Sequence, residues 1–427
     1  MKINDIYKSF LECTSVTTDT RKIDKNSMFF ALKGPNFNAN EFTKEAIEKG
    51  AKYVIIDEDK YYINEQTIVV KDVLSTLQEL ANFHRRKLNT ILIGLTGSNG
   101  KTTTKELIHA VLKEKFKTIA TIGNLNNHIG VPLTLLRLTK DTEIGIIEMG
   151  ANHQKEIEFL CKIAEPDYGY ITNFGKAHLE GFGGVEGIIK GKSELYTFLK
   201  TNNKNAFVNT NDPIQLEKTK EINRNTFGLN NSLSNIIFEK SEANPMATVS
   251  IENTTIQSNL IGIYNTTNLM AAITIGLHFD IDLKNIKKAI NQYAPTNNRS
   301  QIVKQGSNSI ILDAYNANPT SMLAALESLN GLEAKNKIAL LGDMFELGEA
   351  SSMEHKAIIN YIKEKNLNAF LVGEEFFKEK EGDRNSLLFF KNYQDFESHI
   401  KQNKIEESTI LLKGSRGMQL ERVVEYL

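Results

Sequence analysis

Residues 94–104, GLTGSNGKTTT, place glycines at 94, 97 and 100 directly before a lysine and three threonines. An apolar stretch runs into this segment and an amphipathic one, KELIHAVLKEKF, runs out. Strand, glycine turn and helix make the context that a phosphate-binding loop needs. Gly97 and Gly100 would let the backbone around Ser98 and Asn99 turn its N–H groups toward an anion. The helix start, with Thr102 and Thr103, adds a favourable dipole. Lys101 can reach the β- and γ-phosphates, and the Thr102 hydroxyl can ligate Mg²⁺. The spacing departs from G-x-x-x-x-G-K-[ST], because Leu95 stands five positions before Gly100. The competing reading is a chance Gly-rich turn, which the lysine–threonine run disfavours. On this loop alone the chemistry stays open among ATPase, GTPase, kinase and ligase.

The elements that must position such a loop follow from the apolar pattern. Short, continuous apolar runs at 53–57, 90–95, 144–148, 168–172, 206–209, 309–313, 338–342, 369–373 and 409–413 read as strands buried on both faces. Helical periodicity fits 71–87, 102–116, 266–278, 320–330 and 352–364. Strands separated by helices predict parallel α/β sheets with right-handed crossovers. Residues 1–50 are mixed, with a turn at Lys33-Gly34-Pro35. Residues 230–260 are rich in Asn, Ser and Thr and read as β-hairpins. Motif positions put the domain joints near 88 and 300.

Composition narrows the classes. A chain of 427 residues suggests about three domains. Lys plus Arg number 51 against 52 Asp plus Glu, which gives no support for a nucleic-acid binder. No apolar run approaches the ~18–20 residues that span a bilayer. The opening MKINDIYKSFLEC lacks a signal-peptide pattern. Cys13 and Cys161 make neither a disulfide framework nor a zinc motif. The expectation is a soluble multidomain protein of a reducing compartment.

TGSNGKTT, with Gly97 three before Gly100, resembles the ATP-dependent Mur ligases and folylpolyglutamate synthases. Further motifs follow in that family's order: 123–136 (GNLNNHIGVPLTLL), 148–152 (EMGAN), 172–179 (TNFGKAHL), 189–195 (IKGKSEL), 262–272, Arg299, 313–322 (DAYNANPTSM), 342–348 (GDMFELG) and 413–418 (KGSRGM). The resemblance implies a three-domain α/β fold. Residues 1–88 would bind the UDP-sugar, 89–299 would form the central P-loop ATPase, and 300–427 a C-terminal Rossmann-like ligase domain. NLNNHIGVPLTLL, DAYNANPTSM and GDMFELG resemble the branch that joins D-alanyl-D-alanine to UDP-N-acetylmuramoyl-tripeptide in peptidoglycan synthesis. The same resemblance implies a cytoplasmic monomer that uses ATP and Mg²⁺.

Residue roles follow by motif match. Glu148 closes an apolar strand, where a charge without a partner would be costly. It would hold a first Mg²⁺ with Thr102, the alternative being a solvated strand end. His178 would ligate a second Mg²⁺, although Mg²⁺ prefers oxygen and a lone histidine is more often a satisfied polar residue. Asn173 would line the same site or simply form a turn. Lys192 matches a position that is carbamylated in several Mur ligases, with Lys190 the alternative register. A free ammonium has no lone pair for a metal, whereas a carbamate has oxygen acceptors. Catalysis would thus rest on Lys101, Asn173, His178 and Lys192. Asn268, Arg299 and Asp313 would hold adenine, phosphate and ribose. Asp19, Thr20 and Arg21 match the uridine-nucleotide domain, but Asn38-Ala39-Asn40 replace the family's Asp-Gly-His. Asn126, Asn127, Tyr315, Asn316, Asn318 and Arg416 would shape the substrate sites, with Asp343 beside them. The runner-up enzyme is a sister ligase adding one amino acid, or glutamate to folate. A non-enzymatic P-loop switch is the reading from a different class. The two cysteines are expected to pack rather than react.

Overall fold

The computed structural model describes residues 2–295, 298–382 and 386–427. Three parallel-stranded sheets follow one another along the chain. In the first, Val16–Thr17, Met28–Phe30, Tyr53–Ile56 and Thr67–Val69 lie in chain order. The turn at 33–35 is part of a small hairpin that pairs Lys33 with Asn38.

The second sheet has seven parallel strands. From one edge these are Ile236–Phe238, Asn223–Leu229, Asn205–Asn209, Tyr168–Ile171, Ile91–Thr96, Ile144–Glu148 and Thr118–Ala120. Its central strands are buried almost end to end, as continuous apolar runs require. The chain fills one side of Ile91–Thr96 first and then crosses to the other side. Their carboxyl ends therefore form the crevice where ligands gather in open α/β sheets. The third sheet has order Gln301–Gln305, Asn308–Leu312, Thr409–Lys413, Lys337–Gly342, Asn368–Val372 and Leu387–Phe390. Its first pair is antiparallel and the rest are parallel.

All nine strands and five helices expected from the apolar pattern are present, with ends shifted by a few residues. The 230–260 region is only partly a set of hairpins. Lys240–Ala243, Met246–Ile251 and Thr254–Ile261 make an antiparallel sheet, but Ile236–Phe238 extends the parallel one. Strand Asn223–Leu229 opens on the polar, outward Asn223 and Arg224, and Ile236–Phe238 is only three residues long, so the buried Phe227 and Phe238 do not stand out in the sequence.

Helix Val73–Lys87 fixes the first domain to the second. Asp72 caps it by accepting from the Ser75 N–H at 2.7 Å, and Val73, Leu77, Leu80, Ala81 and His84 form its buried stripe. At its far end Arg85 donates to the Ala164 and Glu165 carbonyls and to Asp167 at 2.9 Å. The buried His84 ring spans Tyr7 and the Leu138 carbonyl. Among the described residues, no helix is long and apolar enough to cross a membrane.

Candidate active site

The glycine loop takes the shape its sequence demands. Gly97 has φ 140° and Gly100 φ 77°, a region that side chains disfavour. A Cβ on Gly97 would sit 2.0 Å from Thr172 Oγ1, and one on Gly100 would sit 2.7 Å from Asn268 Oδ1. One expectation is corrected here. The N–H groups of Ser98 and Asn99 are not turned to an anion. They donate to the Asn173 carbonyl at 3.1 Å and to Asn173 Oδ1 at 3.0 Å. Asn173 Nδ2 and Thr172 Oγ1 return bonds to the Asn99 carbonyl at 3.0 and 2.6 Å. Asn173 thus clamps the loop, which a turn-forming asparagine would not do. The donors left for an anion belong to the first turn of helix Lys101–Leu112.

Lys101 Nζ lies back on its own loop, donating to the Gly97 and Ser98 carbonyls at 2.7 and 3.2 Å. Loss of water pushes its pKa down to about 8. Glu148 opposes that shift and Arg299 adds to it. Glu148 is 2% exposed, and its Oε1 accepts from Thr102 Oγ1 at 3.2 Å and Asn126 Nδ2 at 2.9 Å. The buried Lys105 ammonium stands 3.9 Å from Oε2 and donates to the Thr121 carbonyl at 2.8 Å. Oε2 itself has no hydrogen-bond partner. Ser98 Oγ, Asn99 Nδ2 and Arg299 Nε are likewise buried and unpaired. Such atoms are costly to leave alone, so their gathering here marks a place for a polar ligand.

Ser98, Asn99, Lys101, Thr102, Asn126, Glu148 and Arg299 line one cleft of about 470 Å³, together with Asn127, Asn152, Glu156 and Tyr264. Its opposite wall comes from the carboxyl ends of the third sheet. Asp313 takes Lys413 Nζ at 2.6 Å and the Ser300 N–H at 3.4 Å. Asn268 accepts from Thr104 Oγ1 at 3.0 Å and donates to Asn265 at 2.8 Å. The Arg299 guanidinium stacks 3.7 Å over the Tyr315 ring. Tyr315, Asn316 and Asn318 line the cleft. Asn318 also caps helix Pro319–Gly331 and donates to Asn99 Oδ1 at 2.7 Å.

The loop 173–178 closes the joint. Lys176 pairs with Glu354 at 2.5 Å, and its N–H donates to Thr320 Oγ1 at 2.9 Å. His178 Nδ1 meets the Glu346 carboxylate. Burial lowers the pKa of His178, with Glu346 opposing. Among the described residues, no three His, Cys, Asp or Glu side chains gather to hold an ion.

Lys192 does not line the cleft but lies behind it. It is buried, its Nζ donating to the Ala151 carbonyl at 3.0 Å and standing 4.8 Å over the Phe182 ring. Lys190 is exposed, so the inward register belongs to Lys192. Burial and then Lys101 push the Lys192 pKa well down, while Glu156 and Glu194 pull the other way. Arg416 also stands outside the cleft. It pairs with Glu421, and its guanidinium is 5.9 Å from the Tyr315 ring. Asp343 faces away from the cleft, accepting the Glu375 and Phe376 N–H groups at 3.0 Å.

Asp19, Thr20 and Arg21 lie on the first domain, away from this cleft. Arg21 forks onto Asp19 at 2.9 and 2.8 Å, which holds the carboxyl at about 2. Asn38 and Asn40 are struts: Asn38 donates to Glu58 at 2.9 Å, while buried Asn40 donates to Asp57 at 2.9 Å and accepts its N–H at 3.0 Å. Cys161 is buried against Met149, and burial raises the thiol pKa of both Cys13 and Cys161. Lys105, Thr121, Glu346 and Lys413 were not expected as site residues. The last two stand inside GDMFELG and KGSRGM, so motif membership was the available signal.

Family models cover most of this architecture. The Mur ligase family catalytic domain matches 12–85, the Mur ligase middle domain 95–276, and the Mur ligase glutamate ligase domain 298–416. The chain belongs to the Mur ligase family. As a Mur ligase it is an ATP-dependent enzyme that forms a carbon–nitrogen bond. The UDP-N-acetylmuramoyl-tripeptide–D-alanyl-D-alanine ligase of Bacillus subtilis (strain 168) is 37% identical, over 96% of this chain and 92% of its own. The Haemophilus influenzae ligase of the same name is 34% identical, over 97% and 93%. A crystal structure of MurF from Acinetobacter baumannii superposes with TM-score 0.86 at 29% identity, covering 99% of this Mur ligase and 97% of that chain. MurF from Thermotoga maritima in complex with ADP gives TM-score 0.84 at 25% identity, over 98% and 97%.

Proposed function

We propose that this Mur ligase joins D-alanyl-D-alanine to UDP-N-acetylmuramoyl-tripeptide, in the cytoplasm and as a monomer. A tripeptide carboxylate oxygen attacks the γ-phosphorus of ATP and ADP leaves. The amine of the dipeptide then attacks the acyl carbon, inorganic phosphate leaves and the ammonium proton is released. The observation that carries this reading is the cleft: a phosphate loop edged by unpaired polar atoms faces the 313–318 loop across a closed joint. The named relatives support the choice of substrates.

Each side chain has a task in that scheme. Lys101 swings from its loop carbonyls onto the transferring phosphoryl group and neutralises charge there. Asn173 keeps the loop rigid. Thr102 and Glu148 fit Mg²⁺, since Oε2 is an ionisable oxygen without a hydrogen bond. An ion held there would supply neutralisation of phosphate charge. His178 offers Nε2 for a second ion. Arg299, Asn268 and Asp313 hold the nucleotide, while Asn126, Asn127, Tyr315, Asn316 and Asn318 border the peptide substrates. Asp19, Thr20 and Arg21 face the UDP moiety, and Arg416 guards the outer rim. The tasks divide among residues 1–88, 89–299 and 300–427.

Lys192 carries a carbamate in this reading. Only a neutral amine adds CO₂, and burial beside Lys101 favours that form. Labelling with ¹³C-bicarbonate should give a carbonyl resonance that Lys192→Ala abolishes. Lys192→Ala should lower turnover by roughly 10–100-fold, the effect of disturbing a metal's supporting ligands, and Lys192→Arg should not restore it. A missing resonance in active enzyme would end the carbamate reading. For the whole reaction, ADP release should depend on both tripeptide and D-alanyl-D-alanine. Release that is indifferent to the dipeptide would instead favour a sister ligase or a simple nucleotide switch.

A further inference from the structure

The motif GDMFELG does no work in the reaction described above, yet its glutamate reaches the cleft from the other domain. Strand Lys337–Gly342 delivers the loop, and Glu346 holds φ 61° at its tip. The carboxylate meets Nδ1 of His178, itself at φ 54° on the opposing loop. The backbone repeats the contact, since the Glu180 N–H donates to the Glu346 carbonyl at 3.3 Å. Both residues border the same cleft as Lys101 and Glu148.

An imidazole whose Nδ1 is taken by a carboxylate has one nitrogen left to offer, and its ring orientation is set by that bond. Here the orienting carboxylate comes from the C-terminal domain. We infer that Glu346 is the positioning residue for His178, so that the catalytic histidine is aimed only when the C-terminal domain has docked. Docking itself is held by other contacts: Lys176 with Glu354, the Lys176 N–H with Thr320, and Asn318 with Asn99. Closure and histidine alignment are therefore separable by mutation. The inference rests on the ligase reading for its activity arm only.

The test uses full-length Glu346→Ala, Glu346→Gln and Glu354→Gln. Histidine side chains are ¹⁵N-labelled and spectra taken at pH 8 with Mg²⁺ and a non-hydrolysable ATP analogue; His178→Gln assigns the resonance. In wild type, His178 should be the Nδ1–H tautomer. Glu346→Ala should release it toward Nε2–H while the other histidines keep their shifts. Glu346→Gln, whose amide oxygen still accepts, should retain Nδ1–H. Turnover of Glu346→Ala should fall roughly 10–100-fold, with KM for ATP within about twofold of wild type, and Gln should recover most of it. Glu354→Gln removes one of the three docking contacts and leaves the Thr320 and Asn318 bonds and Glu346 in place, so the nucleotide-bound domain should stay docked and the tautomer unchanged. An unchanged tautomer in Glu346→Ala, or wild-type turnover in that variant, overturns the assignment. The spectra need no dipeptide, so a mistaken acceptor would show in ADP release and leave the tautomer result standing.

Discussion

The central and C-terminal sheets are built alike and finished differently. Each runs an interior strand toward a lysine, Ile91–Thr96 reaching Lys101 through GLTGSNGK and Thr409–Lys413 ending on Lys413 in LLKGSRG. Lys413 is 2% exposed and locked onto Asp313 at 2.6 Å, with the Asn316 carbonyl as second acceptor. Lys101 has only carbonyls of its own loop, and unpaired polar atoms surround it. A lysine with a carboxylate partner is committed to structure. A lysine resting on backbone carbonyls gives up little when a phosphate arrives. The same architecture thus yields one edge that binds charge and one that braces the wall opposite.

Exchanging the fates of these two lysines would break the comparison. Lys101→Ala should cut turnover by at least ~10²-fold, the scale of losing one preorganised electrostatic group, with the thermal midpoint unmoved. A folded variant with near wild-type turnover would remove the phosphate-loop assignment. Lys413→Met should do the reverse first. It leaves Asp313 without its ammonium, and breaking such a pair costs about 3–5 kcal/mol when fully buried. Asp313 keeps some access to water, so the low end is expected. Calorimetry should show a lower melting transition, and an unchanged one would mean the pair is not structural.

Two smaller effects sharpen the contrast. Because burial puts the Lys101 pKa at about 8, its ammonium is mostly present at pH 7 and mostly lost at pH 9. Bound polyphosphate favours the charged form, so nucleotide binding should take up a growing fraction of a proton as pH rises through 8, and affinity should weaken there. Titration calorimetry in two buffers of different ionisation enthalpy reads this directly. The uptake should vanish in Lys101→Ala. Asn40→Ala should leave the cleft alone but lower first-domain stability by about 1–3 kcal/mol, the cost of unpairing buried polar groups. Amide exchange of strand Tyr53–Ile56, which runs into Asp57, would show it. No shift would mean water replaces the amide.

Continuous apolar strands and amphipathic helices were legible because each is a local pattern that burial on one or both faces imposes. The glycine loop was legible for the same reason: a positive φ and a close approach admit almost no other residue at Gly97 and Gly100. The sequence also carried the phosphate chemistry of Lys101 and Thr102, through their place at a helix start. The helices at Leu179–Phe182, Val185–Lys192 and Glu194–Thr201 were not legible, since each is too short to show a period and glycines interrupt the first two. Partnerships across domains were beyond reach altogether. Asn173 became a clamp because two loops from different strands meet at one sheet edge, and Lys192 turned inward because its helix packs over Ala151. Glu346 met His178 from 168 residues away. Local pattern fixes which residues can do chemistry. Only the packing of sheets against one another, driven by burial and without regard to chain distance, decides which of them meet.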